Sequence, residues 1–150
     1  MKSLYESECA AEIKTRLESL RADRVRQWGK MTPAQAVAHC SKSLEMAVGE
    51  WRPPRMLLGR VLAPLIRPSL LRGDATMKQN APTLPGLIIR DCLHFEQEQQ
   101  RLLALLERFR AAGPAGCTTH AHSFFGNLTP TEWSVLMYKH LDHHLRQFGV

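Results

Sequence analysis

The C-terminal part of the chain carries two histidines at the spacing of metal ligands. His140 and His144 are four residues apart. Side chains at i and i+4 lie one above the other on a helix, so two imidazoles at this spacing can bind the same metal ion. The His-Glu-x-x-His pattern of zinc peptidases is absent, because Leu141 stands where that pattern has its glutamate. The pair therefore points to a metal site of another kind or to a buried hydrogen-bond network.

The period of a helix predicts which side of it carries the pair. Counted from Trp133 at about 100° per residue, His140 falls at about 340°, His144 at about 20° and Gln147 at about 320°. We expect this side to face the core, and we expect the solvated side to carry Lys139, Asp142 and Arg146. Buried imidazoles without partners would cost several kcal/mol, so they must bind a metal or accept hydrogen bonds. Gln147 is the candidate for orienting one of the rings from outside the ligand set.

A third ligand has to come from another helix at the same height. His39 follows Thr32, where the second predicted helix begins, by seven residues, which places it about 10 Å from that end. His140 and His144 lie about 12 and 6 Å from the end of the last predicted helix, if it ends near Phe148. Antiparallel packing would bring the three histidines to one level. His39 lies on the shoulder of its helix's apolar face, so on its own it also fits an ordinary boundary histidine.

Four helices are predicted to position these residues. The first covers about residues 4–20 and the third about 86–110, with apolar side chains at helical spacing. The second runs from Thr32-Pro33-Ala34-Gln35 to about Gly49, and the fourth runs from Thr129-Pro130-Thr131-Glu132 almost to the C-terminus. Both starts combine a capping threonine, a proline and a residue that closes a capping box. Because no useful length alternates with the period of a strand, the predicted fold class is all-α.

The lengths of the connections predict the topology. About ten residues join the first two helices, which favours an antiparallel pair, and about 35 join the second to the third, enough to make those two parallel. We expect a four-helix bundle in up-down-down-up order, formed by residues 1–150 as one domain. The long crossover, residues 51–85, is apolar between 56 and 66 and is expected to form a short helix or a lid that closes one end of the bundle.

Composition and charge exclude several classes of protein. The chain has 150 residues, 44% of them hydrophobic and 23% charged, with a net charge of +6, which indicates a globular domain. The basic excess lies in residues 51–80, where four prolines prevent a continuous recognition helix, so neither nucleic acid nor a membrane is an expected partner. No apolar run is long enough for a membrane-spanning helix, and the first twenty residues lack the pattern of a signal peptide, so the expected location is cytoplasmic.

The four cysteines match no known ligand or disulfide spacing. They lie far apart in the sequence, at Cys9, Cys40, Cys92 and Cys117. We expect them to be reduced and to pack as small hydrophobic residues. Roles as metal ligands or nucleophiles stay open at this point.

The histidine pattern resembles that of a known superfamily. His39 in the second helix and the segment His140-Leu-Asp-His143-His144-Leu-Arg-Gln147 are similar to the DinB-like superfamily of metal-dependent four-helix-bundle proteins. Three further segments resemble one bacterial branch of this superfamily: Trp28-Gly-Lys-Met-Thr-Pro-Ala-Gln, Ala81-Pro-Thr-Leu-Pro and His122-Ser-Phe-Phe-Gly-Asn-Leu-Thr-Pro. Together with the histidines, the resemblance covers nearly the whole chain.

The resemblance implies both a fold and a site. The fold would be an up-down-down-up bundle, and a divalent metal would be held by His39, His140 and His144. Characterised relatives include transferases and isomerases that depend on a low-molecular-weight thiol, whereas the branch has no assigned activity. Ser123 stands where that branch usually has a proline, so the resemblance assigns no role to this loop.

Three protein nitrogens would leave open positions on the ion, as catalytic metal sites do. Imidazole suits several divalent metals, and zinc or nickel is the expected one. We predict a metal-dependent enzyme, either a thiol-dependent transferase or a hydrolase, that acts on a small molecule and uses a low-molecular-weight thiol in the first case. His120 and His122, in the loop before the last helix, are the catalytic candidates for proton transfer. The alternative is a non-catalytic bundle that binds a metal or ligand, or a dimeric interaction module. A homodimer is compatible with both.

Overall fold

Five α-helices make up most of the chain in a computed structural model, which describes residues 1–73, 75–91 and 93–150. They are α1 (Ser7–Ser19), α2 (Pro33–Ala47), α3 (Leu57–Arg72), α4 (Phe95–Ala112) and α5 (Pro130–Gln147). Short 3-10 turns at Pro85–Leu87 and Pro114–Gly116 flank α4. The described residues contain no β-strand, so the all-α prediction is confirmed. The prediction for Cys92 falls outside the described residues.

The helices that carry the histidines, α2 and α5, begin at the two predicted capping boxes. Thr32 Oγ1 accepts the N–H of Gln35 at 3.2 Å, and the Gln35 side chain accepts the N–H of Thr32 at 3.0 Å. Thr129 and Glu132 form the same reciprocal pair at the start of α5. A proline follows each threonine at the first helical position, where a backbone N–H has no helical partner to lose. The sequence therefore determines the start of both helices locally.

The helix predicted over residues 86–110 begins later, at Phe95, and ends at Ala112. The predicted start is wrong because residues 85–87 form a 3-10 turn and an irregular segment leads from it into α4. A helix through this segment would direct the carbonyl of Leu87 to a backbone N–H four residues later. That carbonyl instead accepts a hydrogen bond from His39 Nδ1 at 2.9 Å. The segment is a loop packed over α2.

The crossover contains α3, a helix of 16 residues that is longer than the short helix expected from the sequence. Pro64 and Pro68 lie inside it, and each removes a backbone donor from the helix. Its inner side packs against the loop before α5 so closely that a Cβ on Gly59 would lie 2.5 Å from the carbonyl oxygen of Phe124. Its outer side is apolar and exposed, with Leu57, Leu58, Val61, Leu65 and Ile66. Among the described residues, no helix has both the length and the apolar character needed to cross a bilayer.

Hydrogen bonds at both ends give the relative direction of α1 and α5. The N–H of Leu4, just before α1, bonds to the carbonyl of Ser134 in the first turns of α5. Beyond the other end of α1, Arg24 Nε donates to the carbonyl of Phe148 at 2.9 Å, where α5 ends. The two helices are therefore parallel.

Ion pairs give the direction of α2 relative to α4. Glu45 near the end of α2 pairs with Arg101 in the first half of α4, and Glu50 pairs with Arg108 further along at 2.8 Å. The two helices therefore run in the same direction. Leucine and aromatic side chains of α1, α2, α4 and α5 form one buried cluster between them.

The direction of α2 relative to α5 is the opposite one. His39, near the start of α2, lies against His144, near the end of α5, with ring centroids 4.7 Å apart. At the other end of α2, the carbonyl of Ala47 accepts the N–H of Thr118, in the segment that leads into α5, at 2.9 Å. This antiparallel packing is the one that brings histidines of the two helices to a common height.

One side of α5 that was predicted to be solvated is covered. Asp142 is buried and accepts hydrogen bonds from Arg16 of α1 at 2.8 Å and from Arg146 at 3.1 Å. Lys139 is half-buried and donates to three carbonyls near the end of α3, those of Leu70, Gly73 and Ala75. The prediction was wrong for both residues because α1 and α3 pack on this side of α5, and the helical period carries no information on such neighbours. Arg146 is exposed as predicted.

Candidate metal centre

Three histidines from two helices converge between α2 and α5. His39, His140 and His144 each place a ring nitrogen within 4.8 Å of the other two. The Nε2 atoms of His39 and His140 are 2.8 Å apart, and the three pairs of ring centroids are separated by 4.7 to 4.9 Å. Two nitrogens that bind one zinc ion at about 2.0–2.1 Å lie at most about 4.2 Å apart. The His39–His140 pair already meets this condition, and a small ring movement brings in the third.

The tautomer of His39 follows from its partner on the loop before α4. The ring is buried, and its Nδ1 lies 2.9 Å from the carbonyl oxygen of Leu87. Because a carbonyl only accepts, Nδ1 carries the proton and Nε2 presents a lone pair to the cluster. Metal-ligating histidines usually donate their second N–H in this way. The sequence analysis missed Leu87, and nothing in an ordinary leucine could have indicated that its backbone oxygen would serve the site.

His144 is oriented by the residue that was predicted for this role. Its Nδ1 lies 2.9 Å from Oε1 of Gln147, whose Nε2 donates to the carbonyl of Trp28 at 2.9 Å. With its amide nitrogen committed to Trp28, Gln147 offers only its oxygen to the ring, so Nδ1 of His144 is the donor. The lone pair of Nε2 is then available to the cluster. Gln147 is buried, one turn beyond the histidine that it orients.

The surroundings keep all three imidazoles neutral. Burial lowers the pKa of His39, although the hydrogen bond to Leu87 acts the other way. Burial and then repulsion by the neighbouring histidines lower the pKa of His140 well below its ordinary value. Burial, followed by the charge of His39, lowers the pKa of His144 to about 3. At neutral pH the cluster therefore has three uncharged nitrogen donors, the form in which imidazole binds metals.

The composition and exposure of the cluster define what it can bind. Within the described part of the chain, no carboxylate or thiol completes the group with the three histidines. Cys9 and Cys40 pack in the core as predicted, and burial raises the pKa of each thiol. Half-buried Cys117 is also free. His140 and His144 are half-buried residues, whereas His39 is fully buried.

The two candidate proton carriers differ in their surroundings. His120 is exposed and lies outside the cluster. His122 is buried, and its Nδ1 accepts the backbone N–H groups of Phe124 and Phe125 at 3.0 and 3.1 Å. Its ring also lies 5.2 Å from that of Trp133. Because Nδ1 accepts these two N–H groups, the neutral ring of His122 carries its proton on Nε2, which can donate a hydrogen bond.

His143 borders the cluster although it was not predicted as a site residue. Its ring lies 5.1 Å from that of His144 and 5.6 Å from that of Trp28. Burial lowers its pKa, while the charge of Asp142 raises it. His143 and Trp28 also line a cavity of about 240 Å³ whose other walls include Lys2, Tyr138, Lys139 and Arg146. A cavity with polar and charged groups around it therefore lies beside His143, the neighbour of His144 in the sequence.

The amino-acid sequence matches the model of one protein family over nearly its whole length. The model of a family described as "Protein of unknown function (DUF1569)" matches residues 4–149. The chain belongs to this family. No curated protein and no solved structure matches it. Because the matched residues include all three histidines and the loops that orient them, the cluster lies within the part of the chain that the family model describes.

Proposed function

We propose that the protein binds one divalent metal ion through the Nε2 atoms of His39, His140 and His144. The observation that carries this proposal is the convergence of three neutral imidazoles, two of which have Nδ1–H committed to a backbone or amide oxygen. Without an ion, Nε2 of His140 would donate a hydrogen bond to Nε2 of His39, and this one short contact leaves His144 without a partner inside the cluster. A cation satisfies all three lone pairs together.

We propose further that the site is catalytic and acts on a small molecule. Three nitrogen ligands leave positions for water or substrate, and a bound ion would lower the pKa of water or hold a thiolate there. The half-buried His140 and His144 and the cavity beside His143 support access to these positions. Since no thiol of the described chain joins the cluster, a thiol-dependent reaction would need a low-molecular-weight thiol from solution. A hydrolase would need only water.

The chain's own residues would hold and orient the reactants. Leu87 and Gln147 orient the rings of His39 and His144, so that only a small ring movement is needed when an ion binds. Of the two candidates, exposed His120 is the proposed proton carrier. His122, whose Nδ1 accepts two backbone N–H groups, would donate a hydrogen bond through Nε2. Zinc or nickel is the proposed metal, because three imidazoles and an open position suit both ions.

Metal content tests the proposal. Protein purified without chelator should contain about one equivalent of divalent metal, and His39→Ala and His144→Ala should each lose it. His120→Ala is the matched control, because this histidine is exposed and outside the cluster. Stoichiometric metal in both cluster variants would disprove the site. For the type of reaction, addition of cysteine to the cobalt-loaded protein should produce a thiolate-to-cobalt absorption band if a thiol is the co-substrate.

A second candidate is a structural ion in a non-catalytic bundle. The observation in its favour is that the described cluster contains no carboxylate that could act as a base beside the metal. Under this alternative, removal of the metal should lower the free energy of unfolding by several kcal/mol. Thermal melts with and without chelator measure this. An unchanged melting temperature would exclude a structural ion and leave a catalytic one open.

The finer description of the fold is also a proposal. We propose that α1, α2, α4 and α5 form an up-down-down-up four-helix bundle within a single domain, with α3 as a lid across one end. The parallel pairs α1–α5 and α2–α4 and the antiparallel pair α2–α5 support this order. In such a bundle a site between facing helices is the usual place for a metal.

A further inference from the structure

The segment before α2 fastens the C-terminal end of α5. The N–H of Gln27 donates to the carbonyl of Gln147 at 2.7 Å, and Arg24 Nε donates to the carbonyl of Phe148 at 2.9 Å. These carbonyls belong to the last turn of a helix, where no partner inside the helix is left for them. The side chain of Gln147 is held by the same segment, through the carbonyl of Trp28. The end of α5 and the 24–29 segment therefore form one hydrogen-bonded unit.

Gly29 adjoins the Gln147 amide so closely that no side chain fits at this position. A Cβ on Gly29 would lie 2.5 Å from Nε2 of Gln147 and 3.7 Å from its Cδ. Because real Cβ contacts are essentially never shorter than 3.0 Å, any larger residue would displace the amide. Gly29 also has a φ of +75°, which L-residues other than glycine rarely adopt. The dihedral favours glycine, and the close approach requires it as long as the Gln147 amide keeps its position.

We infer that Gly29 is a positioning residue of the metal centre, acting through Gln147 on His144. The missing side chain leaves room for the Gln147 amide between the carbonyl of Trp28 and Nδ1 of His144. That amide determines which nitrogen of His144 carries the proton and directs the other nitrogen to the cluster. This inference rests on the proposed metal site, and it gives the Trp28-Gly29 motif a role that the ligand set alone does not explain.

The expected consequence is a change in metal affinity. If the Gln147 amide moves, Nδ1–H of His144 loses its acceptor, and the ring can rotate or change tautomer. Loss of such an orienting hydrogen bond typically reduces metal affinity by about 10- to 100-fold. The backbone bond between Gln27 and Gln147 does not involve the amide side chain, so the end of α5 should stay in place.

The experiment compares cobalt binding by the full-length protein and by Gly29→Ala. We expect Gly29→Ala to bind Co²⁺ about 10- to 100-fold more weakly than the wild type and to show an altered visible spectrum, because the geometry at His144 changes. Gly113→Ala is the matched control, since Gly113 has a φ of +59° but no atom within 4 Å of an added Cβ. It tests whether backbone strain alone reduces metal binding. It should melt at a lower temperature yet keep the affinity and spectrum of the wild type.

A double-mutant cycle with Gln147→Ala tests whether Gly29 acts through that amide. Gln147→Ala should weaken Co²⁺ binding about as much as Gly29→Ala does, and the second substitution should add nothing in the Gln147→Ala background. If Gly29→Ala does not fold alone, the double variant should fold, because its clashing amide is gone. Wild-type affinity and spectrum in Gly29→Ala or Gln147→Ala, or fully additive losses, would overturn the inference. No Co²⁺ binding by the wild type would overturn the proposed metal site and this inference with it.

Discussion

The two flanks of α5 differ in how they meet their neighbours. Between α5 and α2 lie the three histidine rings, of which His39 is oriented by the loop carbonyl of Leu87 and His144 by the Gln147 amide at the end of α5. Toward α3, α5 presents Glu132 and Lys139, which reach an arginine and the last carbonyls of that helix. The first contact buries polar groups in a fixed geometry. The second attaches a helix whose outer side is apolar and faces solvent.

The difference indicates where folding energy and function are concentrated. The α2 contact combines core leucines with the three-histidine cluster, so the packing that stabilises the fold also sets the height of the ligands. The α3 contact rests on fewer groups, and side chains such as Leu57 and Leu65 stay exposed there. We therefore expect α2 substitutions to affect both stability and metal binding, and most α3 substitutions to affect neither.

The largest expected effect distinguishes a leucine of α2 from one of α3. Leu44 is fully buried, whereas Leu65 is 76% exposed. Leu44→Ala should lower the free energy of unfolding by about 2–5 kcal/mol, because it removes buried methyl groups and leaves a cavity. Leu65→Ala should change it by less than about 0.5 kcal/mol, as surface substitutions do. Urea unfolding of both variants measures this. A loss of several kcal/mol in Leu65→Ala would mean that the α3 face is covered in solution.

The starts of α2 and α5 could be predicted from the sequence because their signals are local. A capping threonine, the proline after it and the residue three positions on lie within four consecutive residues. The pairing of His140 with His144 and the role of Gln147 were equally accessible, since one helix and its period determine both. The height of His39 required one further step, the topology inferred from connection lengths. It gave the antiparallel packing that the structure has.

The remaining features depend on contacts between distant segments, and no local pattern predicts these. The burial of Asp142 depends on Arg16, which is 126 residues away. The predicted start of α4 was too early, because the carbonyl of Leu87 accepts a hydrogen bond from His39 instead of one within a helix. The apolar crossover was expected to form a short helix or a lid, yet its helix has 16 residues and continues through Pro64 and Pro68. In each case the sequence supplies the chemical group but not the neighbour that determines its state.

The ion pair that joins α3 to α5 should have the next largest effect. Arg67 donates to both carboxylate oxygens of the buried Glu132, at 3.3 and 2.6 Å. Arg67→Met should lower the free energy of unfolding by about 1–3 kcal/mol, because it removes hydrogen bonds to a buried charge. Arg110→Met is the control, since its partner Glu107 is exposed on the same helix, and a much smaller loss is expected there. Equal losses in denaturant unfolding would contradict a special role for the α3 contact.

The pH dependence of stability should reveal the state of His122. Burial, followed by the charge of Arg55, lowers its pKa from 6.5 to about 3. Between these values the unfolded chain binds a proton that the folded chain excludes, so stability falls as the pH drops below 6.5. One such group contributes at most about 1.4 kcal/mol per pH unit.

Two variants isolate the contribution of His122 from that of the other buried histidines. The free energy of unfolding should be measured at pH 7, 6 and 5. It should fall less steeply with decreasing pH in His122→Gln than in the wild type, by at most about 1.4 kcal/mol per pH unit. His120→Gln replaces an exposed histidine of the same loop and should follow the wild-type curve. A His122→Gln curve parallel to the wild type would show that His122 takes up a proton in the folded protein as readily as in the unfolded one.

The smallest expected effect on stability concerns the side-chain caps at the helix starts. Thr32 caps α2 through a reciprocal pair with Gln35, whereas α3 begins after Met56 without a side-chain cap. Thr32→Ala should lower the free energy of unfolding by about 1 kcal/mol, because the N–H of Gln35 loses its acceptor. Thr131→Ala, at an exposed position within α5, should cost nothing or stabilise slightly, since alanine favours a helix.

The start of α2 also sets the height of His39, so fraying there should weaken Co²⁺ binding in Thr32→Ala as well. Unchanged metal affinity together with the expected loss of stability would mean that Leu87, rather than the helix start, holds His39 in place.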